Sequence, residues 1–250
     1  MSGSAQSGLS DLERDAIVDM NKVEYISKAI EDDIRKCRWL PGNKLPGQLA
    51  LMERFDVSRT CLREAITSLE MKGFITTRHG SGCYVNNLFE PSFSKPMSGV
   101  ELNSSAMQLS VMEMRLVLDG EAAQYACESA TDDELAAIEH EYKAMGLRSG
   151  NHLQRAKADL KFHMLIAESS HSLILVSLSQ LLYTQFFNAI YGTLHSVSGN
   201  HSATLGEVSV LLSAQHRAIY EAVMARDGQS AKAAAQEHIR YSMSLLKAGA

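Results

Sequence analysis

The second half of the chain contains no proline: none occurs between Met107 and Ala250. Over the same stretch, apolar residues recur at the three- and four-residue spacing of helices, and no proline interrupts them. Thr131 and Glu134 form a capping box that marks one helix start. The other breaks in the pattern lie near Gly150, Ser172, residues 198–204 and Gly228. We therefore predict an antiparallel bundle of about six helices.

The first ninety residues predict a different architecture. Apolar residues at helical spacing follow Asn21, a suitable N-cap, and a short second helix is predicted around Met52. Ser58 can cap a third helix that ends at Gly73. Two β-type runs then flank the turn-rich residues 79–82 and predict a hairpin. Three helices followed by a hairpin are the elements of a winged helix-turn-helix, whose third helix enters the major groove of DNA.

The domain boundaries follow from these patterns. Residues 1–20 lack the basic start and apolar stretch of a signal peptide, and we expect a flexible leader. The winged helix-turn-helix is assigned to residues 21–86. Residues 87–100 contain two of the four prolines and no periodicity, which is typical of a linker. The all-helical domain then covers residues 101–250, so the predicted fold is mainly α.

Charge is distributed unevenly along the chain. The formal net charge is −5, which gives no overall electrostatic case for nucleic acid. Residues 38–87 nevertheless hold seven basic and four acidic side chains, a local balance of +3. A basic surface is therefore expected in the winged domain.

Arg59 and Arg63 are the strongest candidates for DNA contact. They are four residues apart on the first turns of the third helix and project from one face, where a guanidinium can bind guanine or phosphate. Ser58 and Thr60 add hydroxyl groups beside a helix N-terminus that favours phosphate. Taken alone, the two arginines are also compatible with the solvated face of an amphipathic helix.

The order of these motifs resembles the signature of the GntR family of transcription regulators over residues 22–86. The matching segments are Lys44-Leu45-Pro46, residues 57–66, Gly73-Phe74-Ile75, residues 78–82 and Tyr84-Val85. The family usually carries an acidic-Arg pair two residues beyond the proline. This chain has Gln48-Leu49 there, so one expected arginine contact is absent.

The resemblance implies roles for individual residues. Arg59 and Arg63 would contact bases and phosphates, and His79 and Gly80 at the wing tip would reach the minor groove. The predicted DNA-binding residues are Lys44, Ser58, Arg59, Thr60, Arg63, Arg78, His79 and Gly80.

Asp159 and His163 indicate a metal site. They are four residues apart in a helical segment, so a carboxylate and an imidazole lie on one face and can share an ion. His216 and His238 are each embedded in an apolar helical stripe, where burying an unpaired imidazole is unfavourable. Any one of these histidines, taken alone, is more often an ordinary core or surface residue. The other histidines lack partners at ligand spacing and are assigned no role.

The combined pattern resembles the metal-binding version of the FadR-type C-terminal domain. The matching residues run from Val111-x-Glu113-x-Arg115 to the C-terminus, and residues 159–163 and 167–171 are most similar to regulators of glycolate, lactate and pyruvate use. The resemblance implies one divalent ion, with Zn²⁺, Ni²⁺ and Mn²⁺ all left open. Its predicted ligands are Asp159, His163, His216 and His238.

The predicted effector is a small carboxylic acid of the 2-hydroxy or 2-keto type. An octahedral ion held by four protein groups leaves two positions for a bidentate acid. Arg115 is a lone cation in an apolar helical stretch, and the family places its matching arginine in the cavity, where it would neutralise the acid. Its alternative role is a surface salt bridge to Glu113 or Asp119. Asn188 is the second effector-binding candidate.

Two other functions compete with an effector-controlled regulator. A metal-dependent hydrolase could activate water at a histidine-rich centre. The sequence contains no HExxH motif and no general base beyond the ligands, so no enzyme is predicted. Alternatively, the helical domain only dimerises the regulator, and metal and acids leave operator binding unchanged.

Partners and compartment follow from symmetry and composition. One recognition helix covers few base pairs, so we expect a homodimer on near-palindromic double-stranded DNA. The four cysteines show no C-x-x-C pair, which favours reduced thiols in a cytoplasm. Polar residues interrupt the most apolar window, residues 173–190, so no membrane span is expected.

Overall fold

The computed structural model describes residues 11–89, 104–147, 152–185 and 205–249 of the chain. The chain divides into two compact units, Met1–Asn86 and Asn87–Ala250. Over the described ranges the structure is mainly helical, as predicted, with a two-stranded antiparallel sheet. No helix within these ranges combines the length and the apolar character that crossing a membrane requires.

The first unit contains the predicted elements of a winged helix-turn-helix. They are α1 (Asp11–Arg35), α2 (Gln48–Phe55), α3 (Arg59–Met71), β1 (Ile75–Arg78) and β2 (Gly82–Val85). The hairpin pairs Ile75 with Val85 and Arg78 with Gly82. Helices α1 and α3 pack against each other. The buried side chains of this core include Ile26, Ile30, Ile34, Leu62 and Leu69.

Helix α1 begins at Asp11 and not at the predicted N-cap, Asn21. The predicted helix start is therefore wrong, and α1 extends into the segment expected to be a flexible leader, residues 1–20. Residues 11–20 contain neither proline nor glycine, so nothing in this segment stops the helix. Asparagine favours an N-cap, but it is also tolerated in a helix interior.

The turn between α2 and α3 is short and capped on both sides. Asp56 ends α2 in a left-handed conformation, with a φ of 51°, and its N–H donates to the carbonyl of Met52. Ser58 then accepts a hydrogen bond from the backbone N–H of Cys61 at 3.3 Å. The predicted cap of the third helix is therefore confirmed.

The described part of the second unit contains six helices, in agreement with the prediction. They are α4 (Ser105–Ser129), α5 (Asp132–Leu147), α6 (His152–Glu168), α7 (Leu173–Gln185), α8 (Leu205–Met224) and α9 (Gly228–Gly249). The core contains small residues from α4 and α9, such as Ala126 and Ala235, beside Phe162 of α6 and Ile219 of α8. Helices α4 and α9 approach closely, since a Cβ atom at Gly120 would lie 2.9 Å from the side chain of Gln236.

Local capping explains where α5 begins. The backbone N–H of Thr131 donates to the Glu134 carboxylate at 2.8 Å, and the N–H of Glu134 donates to the Thr131 hydroxyl at 3.3 Å. The predicted capping box is therefore confirmed. The breaks predicted near Ser172 and Gly228 separate α6 from α7 and α8 from α9. Those predicted near Gly150 and residues 198–204 lie outside the described residues.

Candidate nucleic-acid interface and metal centre

Helix α3 presents two faces of opposite character. Its buried face consists of Cys61, Leu62, Ala65, Ile66 and Leu69. Its exposed face carries Arg59, Thr60 and Arg63. Because the apolar face is fixed against the core, both guanidinium groups project into solvent from the first turns of the helix.

Internal ion pairs sort the basic residues of the first unit into two groups. The buried carboxylate of Asp33 accepts hydrogen bonds from Arg38 at 2.5 Å and Arg54 at 2.6 Å. Lys72 lies 3.5 Å from Glu31. Between residues 38 and 87, the basic residues that have no carboxylate partner among the described residues are Lys44, Arg59, Arg63 and Arg78. Within this segment the unpaired positive charge therefore coincides with the four cations predicted to bind DNA.

The hairpin orders two of these cations. The Arg78 guanidinium lies 4.5 Å from the centre of the Tyr84 ring, and Lys44 forms an antiparallel bridge with Tyr84. Gly82 has a φ of +121°, and a Cβ atom there would lie 2.8 Å from Cε of Lys44. The Lys44 side chain therefore crosses the hairpin over a glycine. His79 and Gly80 occupy the exposed turn.

The four predicted metal ligands converge in the second unit. Asp159 and His163 come from α6, His216 from α8 and His238 from α9, and all four are buried. One potential ligand atom from each residue lies within 4.8 Å of the others. Oδ1 of Asp159 is 2.8 Å from Nε2 of His216, 3.9 Å from Nε2 of His163 and 4.0 Å from Nε2 of His238.

The ring nitrogens of the cluster suit a metal ion. Nε2 of His163 is buried without a hydrogen-bond partner among the described residues, and Nε2 of His216 lies 2.8 Å from the Asp159 carboxylate. Buried polar atoms in proteins are rarely left unpaired. The outer nitrogens face acceptors instead, with Nδ1 of His238 3.3 Å from Gln215 and Nδ1 of His163 3.6 Å from Asp119. Acceptors on the outer side favour the tautomer that directs the Nε2 lone pair inward.

The protonation states also suit a metal ion. Burial alone would raise the pKa of Asp159, but His216, His163 and Arg115 together lower it below its ordinary value. Burial lowers the pKa of His163 to about 4 and lowers that of His238 well below its ordinary value. At neutral pH Asp159 is therefore ionised and His163 and His238 are neutral, the states in which these groups bind metals.

Arg115 lies in the interior of the bundle. Its Nη2 and Nε donate to Oδ2 of Asp119 at 3.0 and 3.2 Å, while the Tyr183 hydroxyl donates to Oδ1 at 2.7 Å. Arg115 and Asp119 are only 2 % and 5 % exposed. The alternative of a salt bridge to Asp119 is therefore right about the partner. It is wrong about the surface, because the pair is buried.

Sequence analysis assigned no role in the site to Tyr183 or Gln215, and it named Asp119 only as a surface partner of Arg115. The spacing of Asp119 four residues after Arg115 was the available signal for that pair. Tyr183 carries no local signal, since its hydrogen bond to Asp119 joins α7 to α4. Asn188, the second effector-binding candidate, lies outside the described residues.

Comparison with known proteins assigns both units. Residues 22–85 match the family described as bacterial regulatory proteins, gntR family, and residues 110–241 match the FCD domain. The Glc operon transcriptional activator of Escherichia coli strain K12 is 28 % identical over 222 residues, which cover 87 % of this chain and 84 % of that protein. The transcriptional regulator LutR of Bacillus subtilis strain 168 is 29 % identical, covering 80 % and 89 %.

Two further proteins support the same assignment. The putative L-lactate dehydrogenase operon regulatory protein of Escherichia coli strain K12 is 25 % identical over 210 residues, which cover 82 % of this chain and 79 % of that protein. The solved structure of Streptococcus agalactiae GntR has a TM-score of 0.53 and 22 % identity, and the match covers 89 % of this chain and 99 % of that one. This last likeness supports the fold.

Proposed function

The chain belongs to the gntR family of bacterial regulatory proteins, and we propose that a small carboxylic acid bound beside a divalent metal ion controls its affinity for operator DNA. The chain is a DNA-binding transcription regulator. Like its curated relatives, which are transcriptional regulators, it is not an enzyme. The hydrolase alternative is therefore excluded. The proposal rests on the convergence of one carboxylate and three histidines inside the FCD domain.

The metal would be held by Asp159, His163, His216 and His238. A set of three imidazoles and one carboxylate suits Zn²⁺, Ni²⁺ and Mn²⁺. When bound, the ion supplies positive charge and open coordination positions for oxygen ligands. The buried Nε2 of His163, which lacks a hydrogen-bond partner in the described chain, favours a bound cation over an empty polar cluster.

The effector would be a 2-hydroxy or 2-keto acid. Such an acid offers a carboxylate and a second oxygen to the ion, and Arg115 is the buried cation beside the cluster. The name of one relative, a putative L-lactate dehydrogenase operon regulatory protein, favours a small hydroxy acid. Arg115 already forms an ion pair with Asp119. Its guanidinium would therefore have to bind the acid and Asp119 together.

The DNA-binding residues proposed from the sequence are supported by their exposure and by their unpaired charge. A homodimer would place two α3 helices on the half-sites of a near-palindromic operator. Arg78 on the hairpin and Lys44 beside it would add contacts to phosphate, which depend on salt concentration.

Elemental analysis and operator titration together test this function. The purified chain reconstituted with Zn²⁺, Ni²⁺ or Mn²⁺ should retain an ion and release it on acidification, because histidines bind metals only when neutral. Small hydroxy and keto acids should then raise the melting temperature and shift operator affinity. A chain that stays metal-free after reconstitution would refute the metal site. Metal binding without any effect of acids on operator affinity would favour a helical domain that only dimerises.

A further inference from the structure

Asp119 of α4 lies between the metal cluster and two neighbouring side chains, Arg115 of α4 and Tyr183 of α7. Its two oxygens accept hydrogen bonds from Nε and Nη2 of Arg115 and from the hydroxyl of Tyr183. Oδ2 also lies 3.6 Å from Nδ1 of His163. Asp119 is therefore fully engaged, and it belongs to the surroundings of the metal and not to its ligands.

The charges around the cluster can be balanced group by group. Besides Asp159, the guanidinium and carboxylate groups that act on the pKa of His163 are Arg115 and Asp119. Asp119 cancels the charge of Arg115, with which it forms a buried ion pair. The charge of a divalent ion and that of Asp159 then sum to a single positive charge. Glu141, another buried carboxylate of the bundle, is paired with Lys161 and leaves this balance unchanged.

A single positive charge in a buried site is neutralised by a monoanion. A dianion would leave an uncompensated negative charge out of contact with water, which is strongly unfavourable. Were Asp119 uncharged, the free charge of Arg115 would instead accommodate a second carboxylate. The preference for one charge state thus depends on a residue that need not touch the acid.

We propose that Asp119 is a specificity-determining residue, which cancels the charge of Arg115 and restricts the effector to monocarboxylates. This inference rests on the proposed function, because it assumes a bound divalent ion and an acid effector. A purely structural role for Asp119, which only satisfies buried Arg115, predicts changes in stability but none in the choice between acids. The selectivity ratio therefore separates the two roles.

Lactate and tartronate are suitable probes. Both are three-carbon 2-hydroxy acids. Lactate carries a methyl group where tartronate carries a second carboxylate. Calorimetric titration of the zinc-reconstituted full chain should give a Kd for lactate at least tenfold below that for tartronate. In Asp119→Asn this preference should fall at least tenfold, since Arg115 then carries an uncancelled charge.

Two further variants keep the test decisive. Tyr183→Phe removes one hydrogen bond from Asp119 without changing any charge, so its selectivity ratio should equal that of the wild type. Asp119→Ser also removes the charge, with a smaller side chain, and should lose the preference as Asp119→Asn does. This second neutral variant remains available if Asp119→Asn fails to fold.

The outcomes separate this inference from the proposed function. Wild-type protein that binds none of Zn²⁺, Ni²⁺ and Mn²⁺, or that binds no small 2-hydroxy or 2-keto acid, would contradict the proposed function. Wild-type protein that binds zinc and prefers lactate, together with an Asp119→Asn protein of unchanged preference, would overturn the role of Asp119 alone. A Tyr183→Phe protein that loses the preference would also overturn it, because the net charge is unchanged.

Discussion

The two units of the chain place their functional side chains in opposite environments. On α3, Arg59 and Arg63 are exposed and have no carboxylate partner among the described residues. The metal cluster is buried, and its members lie against one another. Exposed charges can be removed with little effect on packing, whereas each member of a buried polar cluster affects its neighbours. Replacements of Arg59 and Arg63 should therefore change DNA binding alone, and those in the buried cluster should change metal content, stability and regulation together.

The largest expected effect is the loss of metal from the buried cluster. His216→Ala or His238→Ala should release the ion and abolish the response to acids, because only three ligands remain. Basal operator binding should persist, since the winged helix-turn-helix has its own core. Elemental analysis and operator titration of the same preparations measure both properties.

His171→Ala is the matched control for these variants. His171 is only partly buried and bonds to Glu134 at 2.9 Å, away from the four ligands. It should keep its metal and its acid response. If His216→Ala retains metal as well as His171→Ala does, the proposed centre is wrong.

Replacements on α3 should have the opposite effect. They should weaken operator binding and leave the metal content unchanged. Replacing Arg59 or Arg63 with Ala should cost about 1–3 kcal/mol of operator binding if the residue reads a guanine. The melting temperature should stay near that of the wild type, because both side chains are exposed. Fluorescence anisotropy with operator and with scrambled DNA measures the loss of specific affinity.

Arg54→Ala provides the contrasting variant within the same unit. Arg54 bonds to buried Asp33 and stacks near Trp39 and Phe55, so its loss should lower stability by roughly 1–3 kcal/mol. Discrimination between operator and scrambled DNA should be retained. If the wild type and the Arg59→Ala, Arg63→Ala double variant bind operator equally, the proposal that α3 contacts DNA is wrong.

Asn86 and Asn87 are consecutive residues with hydrogen bonds in different units. The amide of Asn86 donates to the carbonyl of Gly73 beside the hairpin, and that of Asn87 donates to the carbonyl of Ser177 on α7. Helix α7 also carries Tyr183, which bonds to Asp119 near the cluster. If acid binding displaces α7, it would therefore also displace Asn87 and the adjacent Asn86, which is hydrogen-bonded beside the hairpin.

This connection predicts a variant that separates binding from regulation. Acid and operator should alter each other's affinity reciprocally, by about 1–3 kcal/mol. Asn87→Ala should reduce that coupling while leaving each separate affinity close to its wild-type value. Acid titrations with and without operator give the coupling directly. Full coupling in Asn87→Ala would show that the signal takes another route.

The sequence predicted best where the physical signal is local. The Ser58 cap and the Thr131–Glu134 box are short-range patterns, and both are present. The candidate ligands were named from the resemblance to metal-binding FadR-type domains and from histidines in apolar stripes, and the structure brings the four residues together. The hydrogen bond between Tyr183 and Asp119 was not, since it joins residues 64 positions apart. The start of α1 was misjudged because a capping residue does not by itself begin a helix.

The smallest expected effect concerns Ser58, where a structural role and a DNA-binding role coincide. Its hydroxyl caps α3, so Ser58→Ala should cost about 0.5–2 kcal/mol of stability, whereas glycine at an N-cap costs only a few tenths. Ser58→Gly therefore removes the hydroxyl while largely preserving the helix. If the hydroxyl also binds phosphate, both variants should lose operator affinity equally despite their different stabilities. If it only caps, operator affinity should be unchanged in Ser58→Gly, and urea unfolding alone would separate the two variants.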